Sequence, residues 1–152
     1  LETYGSTEAY LPVLEALEDL LRDPRALPFR ERLRQCAPSW HAQFAWLANP
    51  SEPTPALDTH GSTRERMLRE LATAIESQSA STPIVLMLED LHWSDPSTVA
   101  LLAHLAVRRQ PARFLLIGTY RPVDVVIDAH PIKETKQRLQ SAGQCDEIGL
   151  WY

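Results

Sequence analysis

Five consecutive apolar residues, Ile84, Val85, Leu86, Met87 and Leu88, run directly into two acids, Glu89 and Asp90. The run lacks the alternation of a half-solvated strand. It therefore predicts a strand covered on both faces, as inside a parallel sheet with helices on either side. A second apolar run, Phe114, Leu115, Leu116 and Ile117, ends in Gly118, Thr119, Tyr120, Arg121 and Pro122 and predicts a neighbouring strand with a polar tip. In open α/β sheets ligands sit beyond the carboxyl ends of the strands. The two tips, with their acids, hydroxyl and guanidinium, form the candidate site.

The segments between these strands carry helical spacing. Tyr10, Leu14, Leu17 and Leu21 predict an amphipathic helix over residues 8–22, with Pro12 tolerated in its first turn. Pro24 and Pro28 are expected to interrupt the chain before a short basic helix over 29–36. Trp40, Phe44 and Leu47 predict a third helix over 39–48, packing one face into the core. Residues 49–61 hold three prolines among serines and threonines and read as a surface loop dividing the chain. Ser62 and Glu65 form a capping-box pattern, and the helix it opens runs through Met67, Leu68, Leu71, Ala72 and Ile75. Asp95 before Pro96 is an N-cap followed by proline at the first helical position. Val99, Leu102, Leu105 and Ala106 give that helix its buried stripe, and Arg108 and Arg109 suit its carboxyl end. A further helix is expected over 131–140, stopped near Gly143, and a third strand over 147–151. Strands alternating with helices imply right-handed crossovers and a parallel sheet.

The 152 residues suit one domain with one core. A formal net charge of -5 and a pI near 5.5 argue against a surface that binds nucleic acid directly. Lysine occurs only at positions 133 and 136, so chemistry that demands a lysine has few candidates. Cys36 and Cys145 stand far apart and outside any Cys-x-x-Cys pair, which predicts reduced thiols. No stretch approaches the roughly 20 apolar residues of a membrane span, and the expected location is cytoplasmic. The chain starts without methionine inside what reads as ordinary structure, so it is expected to be a piece of a longer protein.

Mg²⁺ bound to a nucleoside triphosphate takes oxygen ligands and usually touches one or two carboxylates, which suits Glu89 and Asp90. A neighbouring acid can instead orient the water that attacks the terminal phosphate. The competing reading leaves both acids simply facing solvent at a strand end. Thr119 can bond a phosphate oxygen or the lytic water, and Arg121 can neutralise charge on the phosphoryl group. For Arg121 the alternative is a surface salt bridge. His92 and Trp93 could pack under the site or pass a signal to a partner, with ordinary loop packing as the simpler reading.

Residues 83–95 (Pro-Ile-Val-Leu-Met-Leu-Glu-Asp-Leu-His-Trp-Ser-Asp) and 115–122 (Leu-Leu-Ile-Gly-Thr-Tyr-Arg-Pro) together resemble the AAA-type ATPase module of bacterial STAND signalling regulators. Residues 2–17 also look like the family segment after its second strand, and 64–71 like the helix before the Walker B strand. The resemblance implies a three-layer αβα P-loop NTPase-like core, here without its first strand. It puts Glu89 and Asp90 at the Walker B acids, as metal-side and catalytic residues. Thr119 then falls at the sensor position, and Arg121 becomes an arginine reading the γ-phosphate. ATP and Mg²⁺ are the implied ligands. A covalently linked output domain (DNA-binding, cyclase or kinase) is the implied partner, and oligomerisation is left open.

One part of the family pattern has no counterpart. A P-loop needs Gly-x-x-x-x-Gly-Lys-Ser/Thr, because backbone amides and a lysine cradle the phosphates. Glycine occurs here only at positions 5, 61, 118, 143 and 149, and none precedes a lysine. In the family this loop lies upstream of the segment resembling residues 1–17, and it is expected in a preceding part of the protein. Three functions follow as expectations. The first is an ATP-hydrolysing switch domain, and the second is a non-hydrolysing interaction module of the same fold. The third is a metal-dependent hydrolase using His92, Asp95 and the two acids, which lacks a recognisable ligand spacing.

Overall fold

A computed structural model of the chain describes residues 8–47, 63–108, 111–127 and 129–150. The elements in order are α1 (Leu11–Arg22), α2 (Leu27–Cys36), α3 (Pro38–His41), α4 (Thr63–Ser79), β1 (Ile84–Leu88), α5 (Pro96–Ala106), β2 (Phe114–Gly118), α6 (Pro122–Ile127) and α7 (Ile132–Ser141). Single 3₁₀ turns stand at Pro24–Ala26, Ala45–Leu47 and Leu91–Trp93. The expected loop over 49–61, the Ser62 cap, Arg109 and Trp151 lie outside the described residues.

The chain divides into two compact units, one of residues 12–86 and 110–115, the other of 1–11, 87–109 and 116–152. In the first, α2, α3 and α4 pack on one another. Leu33 from α2, Trp40 from α3 and Leu71 from α4 are fully buried. The Trp40 indole N–H donates to the Met67 carbonyl at 2.8 Å, and the Glu70 carboxylate accepts from both the amide and the hydroxyl of Ser39. A large aromatic and a charged group are therefore both placed with their polar atoms satisfied. Arg113 donates to the Ser79 and Ala80 carbonyls, which holds the entry to β2 on the end of α4.

Several helices depart from their expected bounds. Tyr10 lies outside α1 with φ +66°, so the first helix begins later than the spacing suggested. Pro24 and Pro28 start helical turns instead of breaking them, because proline loses nothing in a first turn where the N–H has no intrahelical partner. The single helix expected over 39–48 is two short pieces, α3 and a 3₁₀ turn, although Trp40 and Phe44 are buried as expected.

In the second unit α5 carries Val99, Leu101, Leu102 and Leu105 into the core, and α7 packs on α5 and α6 with Ile132 and Leu139 buried. Asp95 caps α5 with Pro96 in its first turn, as expected. Gly143 ends the turn after α7 at φ +66°, a conformation open to glycine at no steric cost. Helix α6 was not anticipated: its Val-Asp-Val-Val pattern follows neither a clear helical nor a strand period.

The strands pair Ile84 N–H with the Arg113 carbonyl and Thr119 N–H with the Leu88 carbonyl, advancing together along both strands. They form a parallel two-stranded sheet, part of an α/β core. Two expectations are corrected here. Residues 147–150 form no strand, since their backbone pairs with neither β1 nor β2. The strands are also not covered on both faces: Val85 and Met87 are 62% and 53% exposed, and Leu115 is 54% exposed. A continuous apolar run marks a strand suited to double cover, but only elements packed on both faces supply it. Among the described residues one face lacks them.

Residues 144–150 are tied down by side chains instead. The Tyr120 hydroxyl donates to Glu147, and the Lys136 ammonium donates to Glu147 at 2.6 Å and to the Tyr120 oxygen at 2.8 Å. The ammonium, and then the phenol, hold the Glu147 carboxyl below its ordinary value of 4.5. Hydrogen bonding to Glu147 raises Lys136 above its ordinary value, and burial followed by the bond to Glu147 raises Tyr120. Glu147 thus contributes stability above the usual carboxylate range that is lost as pH falls through its depressed pKa. The Lys136 and Tyr120 contributions are present at neutral pH and are lost as pH rises through their raised values. With Glu147 39% exposed, the attachment is worth no more than about 1 kcal/mol. Amide shifts of residues 145–149 are expected to hold steady around neutrality and to move toward coil values at both extremes. A titration flat down to pH about 2 would remove Glu147 as the anchor.

Candidate functional site

After Leu88 the chain leaves the sheet and turns sharply. Asp90 takes φ +52° and ψ +45°, a left-handed conformation that aspartate tolerates better than most side chains and that often marks functional positions. The Trp93 amide returns to the Asp90 carbonyl at 2.9 Å and closes a 3₁₀ turn over Leu91–Trp93. Glu89 and Asp90 are both exposed, the Asp90 side chain at 58%.

Thr119 holds this turn against the tip of β2 with all three of its polar groups. Its amide donates to the Leu88 carbonyl at 3.0 Å, its carbonyl accepts from the Leu91 amide at 2.8 Å, and its hydroxyl accepts from the Asp90 amide at 3.0 Å. Gly118, just before it, admits the Leu91 side chain. A Cβ there would stand 2.4 Å from Leu91 Cδ1, far inside contact distance. The sheet thus brings the acids and Thr119 to one edge, as the two apolar runs implied. Arg121 follows with an exposed side chain, and its amide donates to His92 Nδ1 at 3.4 Å.

Asp95 fixes the far end of the turn. Its Oδ1 accepts from the Ser97 and Thr98 amides at 2.8 and 3.0 Å, and its Oδ2 accepts from the Thr98 hydroxyl and, at 3.2 Å, from the Tyr10 amide. The sequence marked Asp95 as a cap. It gave no sign of Tyr10, whose positive φ aims its N–H at the carboxylate. The sequence also gave no sign of Asp124 in the first turn of α6, which stands 3.5 Å from His92 Nε2. His92 itself is almost fully enclosed, whereas the adjacent Trp93 is 72% exposed.

These donors fit one kind of metal better than another. Among the described residues no three His, Cys, Asp or Glu side chains gather in a cage, and Asp95 is already engaged by four donors. This weighs against the hydrolase built on His92, Asp95 and the two acids. Two exposed carboxylates at a strand end suit Mg²⁺, which keeps most of its waters and needs few protein ligands.

A family model described as an AAA ATPase domain matches residues 3–117. The matched span includes Glu89, Asp90, all of β1 and all of β2 but Gly118, and Thr119 and Arg121 lie just past its end. No curated protein and no solved structure matches the chain. With most of its length matched, and with a parallel pair of strands ending in acids at the expected edge, the chain belongs to the AAA ATPase domain family, with the P-loop NTPase fold represented in part.

Proposed function

We propose that this chain is the magnesium-side part of an ATP-hydrolysing switch domain of the kind found in bacterial STAND regulators, acting within a larger regulatory protein. The observation that carries the reading is the bond from the Asp90 amide to the Thr119 hydroxyl. It joins the acidic turn to the neighbouring tip, so the four proposed site residues share one sheet edge. When bound, Mg²⁺ screens the phosphate charge. Glu89 would hold it, and Asp90 would accept a hydrogen bond from the attacking water and aim it at the terminal phosphorus. Attack forms the new O–P bond, the bond to the nucleoside diphosphate breaks, and the proton leaves with the phosphate product. Arg121, exposed at the β2 tip, balances charge on the phosphoryl group, and the Thr119 hydroxyl reads its presence.

The 152 residues contain no Gly-rich loop ending in Lys-Ser or Lys-Thr. Because that loop supplies most phosphate contacts, calorimetry of this chain alone with Mg-ATP is expected to show no measurable binding. Tight binding would overturn the division of labour proposed here. The second reading is a non-hydrolysing interaction module of the same fold that passes a conformational signal to an output domain, and loss of the motif from the gene itself would favour it. Flanking coding sequence distinguishes the two. A Gly-rich Lys-Ser or Lys-Thr motif upstream supports the ATPase, and a start codon close to Leu1 supports the module.

A further inference from the structure

The sequence leaves His92 open to packing under the site, to signalling to a partner or to ordinary loop packing, but its surroundings are specific. Its side chain is 2% exposed, next to the proposed water-side acid. Nδ1 accepts the Arg121 N–H at 3.4 Å and lies 3.8 Å from Asp90 Oδ1. A neutral imidazole that accepts at Nδ1 carries its proton on Nε2. That second nitrogen is buried without a hydrogen-bond partner, and the Asp124 carboxylate stands 3.5 Å away in the first turn of α6. One ring therefore meets the start of α6 at two points, the backbone just ahead of the helix and a carboxylate inside it.

The contrast with His130 is instructive. There the Ile132 amide donates to Nδ1 at 3.3 Å and Nε2 meets the Ser94 carbonyl at 2.7 Å, so both nitrogens are satisfied by backbone and the ring simply ties α7 to the turn before α5. His92 instead spans side chains and backbone that belong to the proposed site. Among the described residues, the other polar ties between the acidic turn and the β2 tip are those of Thr119, two residues short of Arg121.

We propose that His92 is a positioning residue, whose ring accepts the Arg121 amide at Nδ1, faces the Asp124 carboxylate with its Nε2–H, and so sets Arg121 relative to Asp90. The role in catalysis rests on the ATPase reading above. The placement of Arg121 does not, and the experiment separates them. In the full chain, ring-nitrogen NMR is expected to show His92 as the Nε2–H tautomer. Arg121 amide exchange is expected to rise about tenfold in His92→Ala and in His92→Gln, whose amide reaches toward Nε2 but leaves Nδ1 unreplaced. In His92→Asn, whose side-chain oxygen falls near Nδ1, it should stay within about threefold of the parent. An Nδ1–H tautomer, or equal exchange in the Asn and Gln variants, would overturn the proposal. In the complete protein, His92→Gln is expected to lower kcat about tenfold with KM nearly unchanged, and His92→Asn to recover most of the loss. If exchange behaves as expected while the complete protein hydrolyses no ATP, the ATPase reading fails and the positioning of Arg121 stands.

Discussion

Asp90→Asn in the complete protein is expected to reduce ATP turnover by at least about 100-fold while ATP affinity stays within about threefold. Asparagine has nearly the same shape as aspartate and, like it, accepts left-handed backbone, so φ +52° and the bond from the residue-90 amide to Thr119 should survive. What changes is the charge and one acceptor. An amide nitrogen presents hydrogens where the carboxylate would accept one from the attacking water, so orientation is lost in the transition state. Nucleotide affinity depends mainly on phosphate contacts that Asp90 does not make. Phosphate-release kinetics beside calorimetric titration of the same variant separate the two effects. Unchanged hydrolysis would remove Asp90 from the mechanism.

Asp95→Ala is expected to destabilise the fold by about 3 kcal/mol, the combined effect of a lost helix cap and a buried amide left without an acceptor. Four donors converge on this carboxylate, two of them the free amides of the first turn of α5. Tyr10 is 4% exposed, so its N–H has little water to fall back on. Asp95→Asn should cost roughly half as much. Its oxygen can still cap Ser97 and Thr98, but its NH₂ then faces the Tyr10 N–H, donor against donor. Urea unfolding of the two variants checks the order. An alanine variant within about 0.5 kcal/mol of the parent would show that the cap contributes no more than an ordinary surface residue.

Much of this was legible without coordinates. Residues 84–88 and 114–117 read as parallel strands because apolar runs of that length, bounded by polar tips, have few other uses. Asp95-Pro96 read as a helix start because the pattern is local, a side chain reaching amides two and three residues on. The helix expected over 39–48 does not form as one piece, for the opposite reason. Its apolar spacing is helical, but α3 stops after His41 and the burial of Trp40 and Phe44 is met by two short turns instead. The exposure of Val85, Met87 and Leu115 was equally hidden, because a run of apolar residues states what a strand tolerates and not what packs on it.

The strands, the capped helix and the pair of acids delivered to a strand end have their causes within a few residues and follow from local spacing. Which distant groups meet there depends on how the chain packs. Tyr10 reaches Asp95, Thr119 takes the Asp90 amide, and His92 lies between Arg121 and Asp124. Such pairings leave no local trace. A hydrogen bond between residues far apart in the chain depends on where two separately built elements come to rest, and nothing in the spacing of either one encodes its partner.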